Sequence, residues 1–156
     1  MFRLASLLAI CCALVLPVPA AAQEGAEAKL APEAAMAFLV KTLPGLRKVD
    51  TWDGGWLEAR LYGAGSRGPC MLTEKAHFAL IHRADDTREA SEPQRWELDF
   101  STVTAIAQQG SRIVFKVAKV DELLGYETGS PELARRMAHA FDTLRRACVG
   151  VRPPKR

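Results

Sequence analysis

The chain has 156 residues, a quarter of them charged (25%), and its net charge of +3 comes from interleaved acids and bases. It lacks the concentrated basic footprint of a nucleic-acid binder, which argues against nucleic acid as a partner. The length fits one domain with a core of its own.

At the N-terminus, Arg3 precedes an apolar run over residues 4–16, then Pro17, Pro19 and Ala20-Ala21-Ala22. A positive start, a short apolar segment and a small-residue cleavage site predict a signal peptide over residues 1–22, with export to the periplasm or beyond. The mature chain would then begin at Gln23 and keep about 134 residues. The run is too short for a membrane-spanning helix and is broken by proline. Lipid attachment at Cys11 or Cys12 is disfavoured because Ile10 puts a β-branched side chain where that peptidase takes a small one. Removal of the signal leaves Cys70 and Cys148, an even pair in an oxidising compartment, and so predicts one disulfide. Two separate buried thiols are the alternative.

Residues 23–30, rich in Ala, Glu and Gly, read as a flexible leader to a single domain over residues 31–150. Pro32 suits a first helical position, and Met36, Leu39, Val40 and Leu43 recur on one face until Pro44-Gly45 stops the helix. From there the period becomes alternating. Strands are predicted over residues 56–62, 70–75, 77–83 and 95–100, with residues 85–94 as a polar loop, and a hairpin over 103–119 turns at Gln109-Gly110. In the strand at 95–100, Trp96, Leu98 and Phe100 point inward and Glu97 and Asp99 outward. A final helix starts at Ser130-Pro131-Glu132, which supplies a cap, a first-position proline and an acid in the positive first turn. Its stripe of Leu133, Met137, Ala140, Phe141, Leu144 and Cys148 faces inward, and Gly150 ends it. Arg145, Arg146, Arg152, Lys155 and Arg156 make the end basic. The tail at 151–156 would make at most a weak contact with anionic membrane.

This order predicts an α+β fold: one helix, a strongly bent antiparallel sheet of about six or seven strands, and a long amphipathic helix. No strand-helix-strand alternation supports an α/β fold.

Several patterns invite a chemical reading. Gly63-x-Gly65-x-x-Gly68 matches the dinucleotide fingerprint, but Pro69-Cys70 leads into a strand where that motif needs a helix, so a hairpin loop is expected. Ser66 imitates a nucleophile elbow without the strand-to-helix turn. His77 and His82 are an odd number apart and so should face opposite ways on one strand, unless a bulge intervenes. A hydrolase using His82 or His77 with Asp85 is the enzymatic alternative, though spacing completes no catalytic set. His139 falls on the polar side of the last helix. In Trp52-Asp53-Gly54-Gly55-Trp56, Trp52, Asp53 and Trp56 could present aromatic faces and an acceptor to a ligand such as a sugar or peptide. The same residues could instead pack a turn onto the core.

The stretch Leu98-Asp99-Phe100-Ser101-Thr102-Val103, the turn at Gly110, and a helix with Ala140-Phe141-x-x-Leu144 and Cys148 resemble small exported bacterial proteins of unknown function with a PH-like roll. In that roll a bent sheet is closed at one end by the C-terminal helix. The resemblance covers about a third of the chain and implies a binding scaffold, although fold alone does not assign function. The expectation is a non-enzymatic envelope protein, without a cofactor, binding a small molecule, a lipid or another envelope protein.

Overall fold

The computed structural model describes residues 30–150 apart from 53, 84–85, 90–92 and 119–122. The predicted signal peptide at 1–22, most of the predicted leader, the tail at 151–156, Asp53 and Asp85 therefore lie outside the described residues.

The fold is α+β. Helix α1 (Pro32–Thr42) precedes strands β1 (Arg47–Trp52), β2 (Gly55–Ser66), β3 (Met71–Arg83), β4 (Thr87–Glu89) and β5 (Gln94–Asp99). A 3-10 turn (Phe100–Thr102) leads to β6 (Val103–Gln109), β7 (Arg112–Val117) and β8 (Leu123–Glu127), and α2 (Pro131–Cys148) completes the chain. All pairings are antiparallel. The order is β4-β3-β2-β1-β8-β7-β6, with β5 on the same edge of β3 as β4.

Among the described residues eight strands form, against about six or seven expected. Residues 70–75 and 77–83, read as two strands, belong largely to one 13-residue strand, β3. Its first half pairs with β5 and its second half with β4. The glycine segment is shorter as a loop than expected, because Gly63 and Gly65 lie within β2. Leu61 pairs with Ala76 and Gly63 with Lys75, so β2 advances two residues while β3 advances one. Between Ala59/Ala79 and Leu61/Ala76 the extra residue is on β3. Such bulges bend a sheet and raise its local twist, and here they let a long hairpin curl around the core.

The sheet's two edges approach through the 3-10 turn. Phe100 N donates to Cys70 O at the head of β3 (3.0 Å), and Ala118 N donates to Thr102 O (2.7 Å) beyond β7. Asp99 caps the turn by accepting from Ser101 N (2.9 Å) and Ser101 Oγ (2.7 Å). The turn thus ties β5 on one edge to β6 on the other.

Helix α2 lies across the sheet because its apolar stripe requires a partner surface. The Phe141 ring lies 6.0, 5.0 and 5.5 Å from the rings of Phe100, Phe115 and Tyr126. Met137, Ala140 and Leu144 are fully buried beside it. The first turn follows expectation: Ser130 Oγ accepts from Leu133 N (3.3 Å), with Pro131 at the first helical position. Ser130→Ala is expected to lose about 1 kcal/mol. Urea denaturation checks this, and an unchanged midpoint would show that Pro131 and Glu132 define the helix start without the cap. The predicted bridge forms: Cys148 on α2 is joined to Cys70, 78 residues earlier, just ahead of β3. Helix α1 rests on α2 and β2, with the Arg136 guanidinium 5.1 Å from the Phe38 ring centroid.

Candidate functional site

Residues paired across strands share a face. The register therefore assigns Lys48 and Asp50 to the same face as Leu57 and Ala59, Tyr126 opposite Lys48 to that face, and Glu74 to the face of Trp96. This is the interior of the roll. Three charged side chains accordingly stand among core residues. The Lys48 side chain is 4% exposed and that of Glu74 1%, and Asp50 is also buried.

Their geometry is a triad. Lys48 Nζ lies 3.2 Å from Asp50 Oδ2 and 3.1 Å from Glu74 Oε2. The ammonium also stands 5.5 Å from the Trp96 ring centroid and 5.3 Å from that of Tyr126, within cation–π range. Asp50 Oδ1 accepts from Gly125 N at 3.4 Å, where the β1–β8 ladder lapses between Lys48/Tyr126 and Thr51/Leu123. The carboxylate takes over a backbone donor that the ladder leaves unpaired. At Gly125 an added Cβ would meet Ile113 O and Val49 O, each at 3.1 Å, so a larger residue would push the three strands apart. Glu74 Oε1 and the Tyr126 hydroxyl are buried with no hydrogen-bond partner among the described residues.

Burial sets the electrostatics. It raises the carboxyls of both Asp50 and Glu74 above their ordinary values, with Lys48 opposing the rise and Asp50 adding to it at Glu74. Burial alone would lower Lys48, but the attraction of Glu74 and Asp50 outweighs it and holds the ammonium above its usual 10.5. One ammonium against two carboxyls leaves the cluster one negative charge in excess whenever both acids are ionised.

The triad borders a cavity of about 370 Å³, within the size range of small-molecule sites. Leu57, Leu98, Val117, Leu124 and Trp96 make its apolar wall, and Glu97, Asp99 and Thr102 also line it. A second concavity of about 470 Å³ lies between α1 and the β2–β3 turn, lined chiefly by Pro32, Met36, Ala37, Val40 and Pro69.

The outer face carries a different network. Arg47 pairs with Glu58 and, at 2.8 Å, with Glu127, which Arg112 also contacts at 2.8 Å, so charge pairs run from β2 through β1 and β8 to β7. Although its partial burial acts the other way, hydrogen bonds from Arg112 and Arg47 hold Glu127 below the ordinary carboxylate value.

Trp56, His77 and His82, singled out from the sequence, lie on the face of the sheet opposite the triad. Trp56, 36% exposed, stacks on His82 with ring centroids 3.6 Å apart. Trp52 pairs with Gly55 at the β1–β2 hairpin, where Gly54 has φ +80°. Tyr62 stacks on His77 at 4.0 Å. The bulge that the odd spacing of His77 and His82 left open is present: the extra residue in β3 between Ala79 and Ala76 resets the alternation and turns both outward. His82 Nδ1 is 3.1 Å from Thr87 Oγ1. Ser66 ends β2 on a strand-to-strand turn, which is not a nucleophile elbow.

The triad was missed although a signal existed. In Leu72-x-Glu74-x-Ala76 the acid alternates with apolar residues, which places it on the inward face of a strand. Lys48-x-Asp50 has the same spacing of two between apolar Leu46 and Trp52, but with two charges in the middle the alternation reads as polar.

No protein-family model and no curated protein matches the chain. Among solved structures, the PH domain from PfAPH matches with a TM-score of 0.44 and 11% sequence identity, covering 76% of this chain and 95% of that one. No described helix is long and apolar enough to cross a membrane.

Proposed function

We propose that this chain is an exported envelope protein whose domain, residues 31–150, is a PH-like roll serving as a non-enzymatic binding or accessory module. Its ligand is a small molecule held in the cavity beside Lys48, Asp50 and Glu74. The observation that carries this reading is a cavity with apolar walls bordered by convergent buried charges, the usual make-up of a small-molecule site. Buried charge is poor evidence of stabilisation, since a well-packed apolar replacement is often as stable or more so. That gives a reason to look for its use in binding. His77 and His82, the residues of the hydrolytic alternative, stack on Tyr62 and Trp56 and are not among the residues lining this cavity. The Cys70–Cys148 bridge fits the oxidising compartment to which residues 1–22 would direct the chain.

The test uses the neutral fluorescent probe N-phenylnaphthylamine and the variant Leu124→Trp, which fills the cavity from its wall. Wild type is expected to bind the probe and the variant to lose at least about tenfold in affinity, since the enlarged side chain occupies the site. Equal binding by both proteins, with the variant folded by circular dichroism, would place the ligand elsewhere.

Trp56 supports a second surface. Its ring, 36% exposed and stacked on His82, could lie against a sugar or peptide, the ligand expected of the segment that also holds Trp52 and Asp53.

A further inference from the structure

The cavity's charge points to a class of ligand, an inference that rests on the cavity being the binding site. Two carboxyls, those of Asp50 and Glu74, stand on its inward face, Glu97 and Asp99 of β5 border it with carboxyls engaged by Arg67 and Ser101, and Lys48 is the single basic side chain among the lining residues. Lys48 is committed to two of these acids at 3.2 and 3.1 Å. Glu97 is met from outside by Arg67 at 2.9 Å, through a guanidinium that is 65% exposed. Within the roll the balance is therefore acidic.

The decisive group is Glu74. It is 1% exposed and lines the cavity, and Oε1 has no hydrogen-bond partner among the described residues. An acceptor kept from water without a donor is costly to the fold, and a ligand bringing an N–H would supply the donor that the chain does not. Trp96 adds a second element, because its ring already lies 5.5 Å from one ammonium in the site. The apolar wall of Leu57, Leu98, Val117 and Leu124 requires a hydrocarbon body. A metal ion fits less well: no group of three His, Cys, Asp or Glu side chains among the described residues is placed to hold one. An anionic head would meet the carboxyls with Lys48 already neutralised.

We propose that the cavity binds an organic cation, a protonated amine carried on an apolar body, with the amine donating to Glu74 Oε1 and the body against Leu57, Leu98 and Leu124. The site would thereby select against anions of the same shape, because like-charge repulsion inside a poorly solvated cavity is weakly screened.

Three probes of one shape test this by calorimetry on the mature, oxidised protein at neutral pH: naphthylmethylamine, naphthylmethanol and naphthoate. The amine is expected to bind at least about tenfold more tightly than the alcohol, as a hydrogen bond to a charged group allows, and naphthoate more weakly than either. Glu74→Gln is expected to bring the amine and the alcohol to within about threefold of each other while leaving the alcohol's affinity in place. Should that variant fail to fold, Asp50→Asn is the substitute, with a smaller loss of preference in the same direction. Naphthoate binding as well as the amine, or an amine preference that survives Glu74→Gln, would overturn the cation proposal. Alcohol and amine binding equally, with both lost in Leu124→Trp, would overturn the proposal and leave the cavity as the site. Binding of none of the three probes, or binding that Leu124→Trp leaves unchanged, would remove the cavity reading itself.

Discussion

Replacing Lys48 by methionine is expected to destabilise the protein by about 3–5 kcal/mol at neutral pH, the range found when one member of a buried ionic cluster is removed. Methionine keeps most of the side chain's volume, so the loss is electrostatic. It leaves Asp50 and Glu74 buried without the ammonium that stood 3.2 and 3.1 Å away. The triple variant that adds Asp50→Asn and Glu74→Gln removes the uncompensated charge and is expected to recover most of the lost stability. Additivity of the three substitutions would show that the side chains do not act as a unit.

The pH dependence has a definite sign. Burial holds Asp50 and Glu74 above their ordinary 3.8 and 4.5 in the folded protein. The folded state thus binds more protons than the unfolded chain above that range, and the acids' contribution is fully present below it and lost as pH rises through their raised values. Lys48, held above 10.5, stays charged throughout this window. Without Lys48 the two carboxyls shift further upward. The Lys48→Met penalty should therefore shrink as pH falls toward the ordinary carboxylate range. In wild type, Glu74→Gln should become relatively more favourable as pH rises above about 4.5. Urea denaturation across this window measures both, and a Lys48→Met loss independent of pH would sink the account.

The second large effect concerns the bridge. Replacing Cys70 and Cys148 together by alanine is expected to lose on the order of 4 kcal/mol on the chain-entropy model, because the closed loop contains most of the sheet, with 78 residues separating the cysteines. The bridge ties the end of α2 to the turn ahead of β3, and Phe100 N bonds to Cys70 O at the same place. Loss of the bridge would accordingly loosen the junction where the 3-10 turn meets the sheet. Mass spectrometry of unreduced exported protein should show a chain starting at Gln23 and lacking two hydrogens. An unfolding midpoint unmoved by reduction would show that packing around Phe141 holds α2 by itself.

How legible each element was depended on whether its alternation was local and uninterrupted. Helix α2 was readable because Ser130-Pro131-Glu132, the apolar stripe and Gly150 are all written within one segment. The same holds for Pro32 and Gly45 around α1, and for Trp96 and Leu98 in β5. Strands β1 and β8 escaped because charged Lys48 and Asp50 and the small Gly125 occupy places where inward apolar residues normally announce a strand. Strand β4 is three residues long, too short for a period to register. The continuity of β3 was hidden by its bulge, which changes parity at Ala76–Ala79 and so also turns His77 and His82 to the same face.

By itself the sequence determined the α+β class, both helices with their first-position prolines and buried faces, the Ser130 cap, the inward aim of Cys148, and the pairing of Cys70 with Cys148. Those features follow from local steric preference, from apolar periodicity, and from residues 31–150 holding two cysteines. Only the tertiary structure decided that Lys48, Asp50 and Glu74 meet. Glu74 lies 26 and 24 residues from the other two in sequence, and no local pattern can specify how far one strand slides along another. Register and bulges do that, and they turn three charges that would be at home in water toward the inside of the roll.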